Sequence, residues 1–178
     1  LAYNAFLIKE TAQDEWQTKW PLTFKSFGDY KLPGYPYLLA GFFAILPIND
    51  FSTRLPSVLA GSFLILLAFF FAKDVLQVKK SSALLMSLLI AISPVFFFYS
   101  RIAFEANLAL FLFVSGLYFL LKDKENFLLG AFFIFLAVLT YNTPFLLLPF
   151  LIPLLIYKIG WRKKKKWLKP IVLLALIL

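Results

Sequence analysis

Long stretches without a single charged side chain dominate this sequence. Five of them, each 14 to 18 residues long, lie at positions 55–72, 82–99, 106–121, 127–141 and 144–157, and a sixth begins near Trp167. A helix crosses a bilayer with about 20 mostly apolar residues. Soluble proteins are about half apolar and about a quarter charged, whereas here 62% of residues are hydrophobic and 15% are charged. The pattern predicts an all-α, polytopic transmembrane helical bundle and excludes a water-soluble globule.

Two residue types with versatile chemistry are absent from the sequence. The chain has no Cys and no His, which excludes disulfide scaffolds and thiolate catalysis and removes the commonest metal ligand. We therefore predict no cofactor and no metal site, and leave open whether the protein needs a divalent metal.

The charges separate onto two sides of the predicted bundle. Loops 73–80, 122–125 and 158–169 hold twelve basic and three acidic residues, a net charge of +9, whereas the loops of the other side hold six of each. Basic loops lie in the cytoplasm of membrane proteins. Residues 1–54, Arg101 and Glu105 are therefore predicted to be extracytoplasmic. The basic run 162–166 is interpreted as a topology determinant near anionic lipid, and not as a nucleic-acid site.

Residues 35–46 are apolar but too few to span a bilayer. We predict a juxtamembrane helix in the outer leaflet, with Trp20, Tyr35 and Tyr37 as interface anchors. The predicted organisation is an extracytoplasmic segment, 1–54, with juxtamembrane helices, followed by a transmembrane domain, 55–178, that is incomplete at both ends. We expect the chain to be a fragment of a larger membrane protein.

The polar residues that suit catalysis lie on the predicted outer face. Carboxylates there would accept a proton from an acceptor, and Lys or Arg would hold a phosphate. Such a site suits an enzyme that joins a lipid-phosphate-linked donor to an extracytoplasmic acceptor. Solvated loop charges would give the same composition, so this alternative stays open.

Several segments, taken in order, resemble one family of membrane enzymes. They are Tyr3-Asn4-Ala5, Thr11-Ala12-Gln13-Asp14-Glu15-Trp16, Phe27-Gly28-Asp29-Tyr30-Lys31-Leu32-Pro33-Gly34-Tyr35-Pro36-Tyr37-Leu38, Arg54-Leu55-Pro56-Ser57, Ser93-Pro94 and Ser100-Arg101-Ile102-Ala103-Phe104-Glu105-Ala106-Asn107. Together they resemble the amino-terminal part of the GT-C class glycosyltransferases that use dolichyl- or undecaprenyl-phosphate sugars. Protein O-mannosyltransferases and the lipid A aminoarabinose transferase belong to this class.

The resemblance implies a reaction and its partners. A hydroxyl of a protein, lipid or cell-wall glycan acceptor would attack a polyprenyl-phosphate-linked sugar, with inversion at the anomeric carbon. The protein would also contact membrane lipids, and no nucleic acid is expected as a partner. We expect a bacterial or archaeal plasma membrane rather than the endoplasmic reticulum. The family's principal Asp-Glu pair would lie just upstream of Leu1, so we expect this fragment to be inactive alone.

The resemblance also implies individual roles. Lys31 matches the lysine of the family's Lys-Pro-Pro element, although Leu32 replaces the first proline, and with Arg101 it would bind the donor phosphate. Asp14, Glu15 and Glu105 would be supporting catalytic carboxylates.

Other interpretations of the same residues remain. Asp14 and Glu15 also fit a solvated pair, and Arg101 and Glu105, four residues apart, fit a mutual ion pair that anchors a span. Arg54 is better explained as a span anchor. A polytopic transporter and a non-catalytic membrane scaffold are the alternative functions.

Overall fold

The computed structural model describes residues 1–26, 28–122 and 126–159, without the side chains of residues 152 and 154–159. Within this part it contains eight α-helices, one π-helical turn and one antiparallel hairpin. In chain order they are α1 (Ala2–Thr11), β1 (Phe24–Ser26), β2 (Asp29–Lys31), α2 (Gly34–Ile45), α3 (Asp50–Phe70), the π turn (Phe71–Val75), α4 (Lys80–Ile92), α5 (Pro94–Arg101), α6 (Glu105–Lys122), α7 (Phe127–Thr140) and α8 (Asn142–Ile159). The predicted helical bundle is confirmed, and the small hairpin was not predicted.

The described helices include two that are long and apolar enough to cross a bilayer. One is the 26-residue helix Asp50–Val75, which joins α3 to the π turn, and the other is the 18-residue α6. The bent pair α4–α5 makes a third if it acts as one span. Helix α7 has only 14 residues, fewer than the roughly 20 that cross a bilayer. Membrane crossing by α7 and α8 therefore stays a prediction. The predicted sixth span and the basic run 162–166 lie outside the described residues.

The predicted span 82–99 is two helices and not one. Helices α4 and α5 are bent by 56° at their junction. Ser93 at the junction is extended, with φ −65° and ψ 123°, and Pro94 begins α5. A proline disfavours helical geometry in the residue before it and fits the first position of a helix, which explains the break.

Helix α3 begins earlier than the predicted boundary between residues 54 and 55. The Asn49 side chain accepts a hydrogen bond from the Ser52 N–H at 2.9 Å, as an N-cap residue does. The Ser52 hydroxyl donates to the Pro47 carbonyl at 2.6 Å and is buried. The predicted domain boundary therefore falls inside a helix.

Residues before α3 form a packed layer. Helix α1 lies against α2, and their core contains Ala5, Ile8, Phe24, Tyr35 and Leu39, all buried. Tyr35 is fully buried, so the prediction that it is an interface anchor is wrong. Its phenol instead donates to the Thr53 carbonyl of α3 at 3.2 Å, because a buried hydroxyl needs a hydrogen-bond partner. Trp20 is exposed and stacks on Tyr37, and their role as interface anchors stays a prediction.

Helices α3 and α6 are also joined at the end far from this layer. The π turn carries Asp74, whose carboxylate accepts from the Tyr118 hydroxyl at 2.7 Å and lies 2.8 Å from the Lys122 ammonium. The Lys122 ammonium also donates to the Tyr118 hydroxyl at 2.7 Å. This network fixes the axial register of α6 on α3, and hence the position of Glu105 at the other end of α6.

The sidedness of the chain is tested by cysteine labelling in this Cys-free background. We expect cysteines at Thr18 and Asp50, both exposed, to react with a membrane-impermeant thiol reagent on intact cells, because both precede the first long span. A cysteine at Lys80, exposed at the start of α4, is the control and should react only after permeabilisation. Labelling of the Thr18 and Asp50 positions from opposite sides would show that α2 crosses the bilayer.

Candidate functional site

The hairpin brings Lys31 to the packed layer beside the membrane helices. Strands β1 and β2 pair with Phe24 opposite Lys31, and the buried Phe24 ring fixes the hairpin on the layer. The chain reverses at Gly28, whose φ of +83° is a conformation that glycine adopts at little cost. Pro33 follows as the N-cap of α2, so Lys31 lies at a rigid junction of strand and helix.

Lys31 lies between two carboxylates of different burial. Its ammonium is 3.2 Å from Glu105 Oε1, on a side chain only 4% exposed, and 3.1 Å from Asp29 Oδ2, on a side chain 67% exposed. Glu105 Oε1 is buried and accepts no well-directed hydrogen bond, so the ammonium is its polar partner among the described residues. Glu105 also begins α6, where a negative charge is favoured by the helix dipole.

The two carboxylates keep Lys31 charged. Asp29 first, and Glu105 second, hold the pKa of Lys31 above its usual value. The Lys31 ammonium and the Tyr30 N–H in turn hold the pKa of Asp29 below its usual value. The site therefore presents a cation that contacts one buried and one exposed carboxylate.

Buried polar groups fasten the helices around Glu105. Asn107 donates from Nδ2 to the Ser57 carbonyl at 2.8 Å, and the Phe104 N–H donates to the Ser57 hydroxyl at 3.3 Å. The Tyr35 and Ser57 hydroxyls are 3.4 Å apart. These contacts tie α2, α3 and α6 together where Glu105 begins its helix. Sequence reasoning missed this network, although Ser57 and Asn107 lie in the two motifs that carry the resemblance.

Asp14 and Glu15 lie elsewhere in the packed layer. Asp14 Oδ1 accepts from the Trp16 and Thr18 N–H groups at 2.9 and 2.8 Å, and Asp14 is only 6% exposed. Glu15 is exposed, and its N–H donates to Asn4 Oδ1 at 3.1 Å. No described hydrogen bond or ion pair joins either residue to Lys31 or Glu105. These hydrogen bonds stabilise the turn that follows Asp14. The supporting catalytic role of Asp14 and Glu15 stays a prediction.

Arg101 forms no described hydrogen bond or ion pair with the residues of the Lys31 site. It ends α5, whereas Glu105 begins α6 after a non-helical link, so the two do not share a helix face. Within the described residues they form no ion pair, and that alternative is wrong. The Arg101 guanidinium lies instead over the Phe97 ring, 5.3 Å from its centre. Arg54 lies 4.0 Å from Asp50 at the exposed start of α3.

An apolar groove of about 460 Å³ lies between α2, α6 and α7 beside the Lys31 site. Its lining includes Pro33 and Gly34, which follow Lys31 closely, and Leu108 and Leu112. These leucines are three and seven positions after Glu105, so they continue its face of α6. The described residues contain no cluster of three or more metal-binding side chains. The arrangement thus combines a fixed cation, a buried carboxylate and an apolar channel, which suits a ligand with a charged head and a lipid chain.

Comparison with known proteins agrees with this chemistry. The chain matches no curated protein and no solved structure. Residues 31–178 match the family described as dolichyl-phosphate-mannose-protein mannosyltransferase. The match begins at Lys31, so it contains Lys31, Glu105 and Arg101 and leaves Asp14 and Glu15 outside. The chain is an integral membrane protein and belongs to the dolichyl-phosphate-mannose-protein mannosyltransferase family of glycosyltransferases.

Proposed function

We propose that this protein transfers a sugar from a dolichyl- or undecaprenyl-phosphate donor to an extracytoplasmic acceptor, with inversion at the anomeric carbon. The observation that supports this proposal best is the Lys31–Glu105 pair, 3.2 Å apart, at the start of α6 next to an apolar groove. A protein, lipid or cell-wall glycan would supply the acceptor hydroxyl. A bacterial or archaeal plasma membrane remains the preferred location.

Lys31 would hold the donor phosphate. Glu105 is buried and contacts the ammonium from the protein side, and the exposed Asp29 carboxylate contacts it from the solvent side. We propose that a phosphate oxygen of the donor replaces the Asp29 carboxylate on the ammonium. Because Asp29 is largely exposed, it can turn into solvent when the donor binds. The first isoprene units of the donor would then lie in the groove lined by Leu108 and Leu112.

The reaction would follow from this placement. The acceptor oxygen forms a bond to the anomeric carbon while the bond from that carbon to the phosphate oxygen breaks. The electron pair leaves with the lipid phosphate, whose charge Lys31 stabilises. The acceptor proton passes to a carboxylate of the Asp-Glu pair that the resemblance implies. Asp14, Glu15 and Glu105 would support this base, and Arg101 remains the second phosphate-binding residue predicted from the sequence.

The distribution of charge disfavours a transporter. Charges that line a transport path lie within the spans. In the described long helices the charged residues all lie within five residues of a helix end: Asp50, Arg54, Lys73, Asp74, Glu105 and Lys122. A non-catalytic scaffold would not need a buried carboxylate that fixes a cation beside an apolar groove.

A transfer assay tests the proposed function. We expect membranes that contain the full-length protein to transfer labelled sugar from a polyprenyl-phosphate donor and not from a nucleotide sugar, because the groove fits a lipid chain. Nuclear magnetic resonance of the product should show an inverted anomeric configuration. Retention would exclude the single displacement. Absence of transfer from every polyprenyl-phosphate sugar, together with solute uptake by proteoliposomes, would favour the transporter.

A further inference from the structure

The turn between α5 and α6 carries two residues of the proposed site. Arg101 ends α5, Glu105 begins α6, and residues 102–104 link them. We call residues 99–107 the α5–α6 corner. Across the corner the Tyr99 ring stacks on the Phe104 ring, with ring centres 5.3 Å apart and planes at 21°. This contact connects the end of α5 with the residue that precedes α6.

Helix α3 holds the α6 side of the corner through Ser57. The buried Ser57 hydroxyl donates to the Phe104 carbonyl and accepts from the Phe104 N–H, both at 3.3 Å. The Ser57 carbonyl accepts from Asn107 Nδ2 at 2.8 Å. Leaving such buried polar groups unpaired is costly. The start of α6, and with it Glu105, therefore has a fixed position on α3.

Helix α3 meets the α5 side of the corner at Gly61, four residues after Ser57. Gly61 is buried, and a Cβ there would overlap the Ser100 hydroxyl and lie 2.8 Å from Ser100 Cβ. The hydroxyl, which donates to the Phe96 carbonyl at 2.7 Å, could turn aside. The Ser100 Cβ could not, because it is bonded to the helix backbone. A side chain at position 61 would therefore displace the end of α5, where Arg101 follows Ser100.

We propose that Gly61 is a positioning residue for Arg101. Its lack of a side chain lets α5 lie close to α3, and this contact sets the place of the Arg101 guanidinium relative to the Lys31–Glu105 pair. The corner thus contacts α3 at two points, and Gly61 is the one beside the end of α5. The inference rests on the proposed function, in which Arg101 and Lys31 both bind the donor phosphate.

Gly61→Ala in the full-length protein tests this role. We expect kcat/KM for the donor to fall about tenfold, because misplacing a reacting group by about 1 Å can cost as much as about a hundredfold. The KM for the acceptor should stay unchanged. Ser100→Gly removes both atoms that the new methyl group would meet, so Gly61→Ala/Ser100→Gly should recover most of the donor kcat/KM. Failure to recover, at a Tm no lower than that of Gly61→Ala, would contradict the proposed contact.

A double-mutant cycle separates positioning from simple destabilisation. If Gly61 acts through Arg101, Gly61→Ala should have little further effect on transfer in the Arg101→Ala background, because the displaced group is already absent. Gly116→Ala is the matched control, because it crowds α6 against α7 outside the corner. Its effect on transfer should be the same with and without Arg101. An equal loss from Gly61→Ala in both backgrounds would overturn the inference.

Fluorine nuclear magnetic resonance reports the surroundings of position 101 without any transfer. A trifluoroethyl thiol label is attached at Arg101→Cys, since residues 1–178 contain no cysteine, and protein without that substitution identifies labels elsewhere. The resonance should shift in Gly61→Ala, return in Gly61→Ala/Ser100→Gly and stay unchanged in Gly116→Ala. This shift in a protein that transfers no sugar would support the Gly61–Ser100 contact while disproving the proposed function. An unchanged resonance in Gly61→Ala would overturn the inference even if wild type transfers sugar.

Discussion

Lys31→Ala is expected to lower sugar transfer by the full-length protein by about tenfold to a hundredfold. A hydrogen bond to a charged group contributes about 1.5–3 kcal/mol, and 1.4 kcal/mol corresponds to one decade in rate. The loss should be largest at low donor concentration, because Lys31 is proposed to contact the donor phosphate. Transfer is measured at varied donor and fixed acceptor concentration.

The same substitution is expected to destabilise the protein, which must be separated from its effect on transfer. It leaves the Glu105 carboxylate buried without its cation, and removing one partner of a buried ion pair costs about 3–5 kcal/mol. Because Lys31 is 29% exposed, we expect a smaller loss. The double variant Lys31→Ala/Glu105→Gln has no uncompensated charge, so its Tm should recover while its transfer rate stays low.

Recovery of both Tm and transfer in the double variant would show that Lys31 has only a structural role. Lys9→Ala is the matched control, because Lys9 also pairs with a carboxylate, Glu10 at 2.7 Å, but outside the site. Exposed pairs of this kind contribute about 0–1 kcal/mol. Lys9→Ala should therefore leave Tm and transfer near wild type. A comparable loss in Lys9→Ala would mean that general surface charge, and not the Lys31 site, controls transfer.

Much of the fold could be predicted because the length of an apolar run and the charges that flank it can be read directly from neighbouring residues in the sequence. Helices α3 and α6 overlap predicted spans for this reason, although α3 begins five residues earlier than its predicted span. The Ser93–Pro94 dipeptide agrees with a bend, but the local sequence does not give its angle of 56°. The burial of Tyr35, by contrast, could not be predicted from neighbouring residues. Its place in a short apolar run favours an interface anchor, and only the position of α3 shows that its hydroxyl reaches the Thr53 carbonyl inside the protein.

The candidate site was predicted in part. Lys31 and Glu105 were predicted from two separate motifs and are 74 positions apart in the chain. No local pattern predicts that pairing, because it depends on how the hairpin packs on α2 and how α2 packs on α3 and α6. For Arg101 and Glu105 the local pattern predicts a contact that the structure does not contain. Their spacing of four predicts a shared helix face, but the break at residues 102–104 places them on different helices.

The position of the site also depends on close contacts of glycine between helices. A Cβ at Gly34, the first residue of α2, would lie 2.9 Å from Thr140 Cα and 3.0 Å from the Leu139 carbonyl oxygen of α7. A Cβ at Gly116 in α6 would lie 2.9 Å from the Gly130 carbonyl oxygen of α7 and 2.7 Å from the Ile134 side chain. Backbone atoms cannot move aside as flexible side chains do, so the helices would have to separate.

Alanine at Gly34 or Gly116 is therefore expected to destabilise the protein by about 1–3 kcal/mol, the usual cost of overpacking. Gly41→Ala in α2 is the matched control, because a Cβ there meets no atom within 4 Å. It should leave Tm unchanged or raise it slightly, since alanine favours a helix over glycine by roughly 0.5–1 kcal/mol. Tm of the three variants in the same detergent checks this, and equal values for all three would contradict the close α2–α7 and α6–α7 packing.

Gly34→Ala should also slow transfer more than Gly116→Ala does, because Gly34 lies three residues after Lys31 and a displaced α2 would carry the hairpin with it.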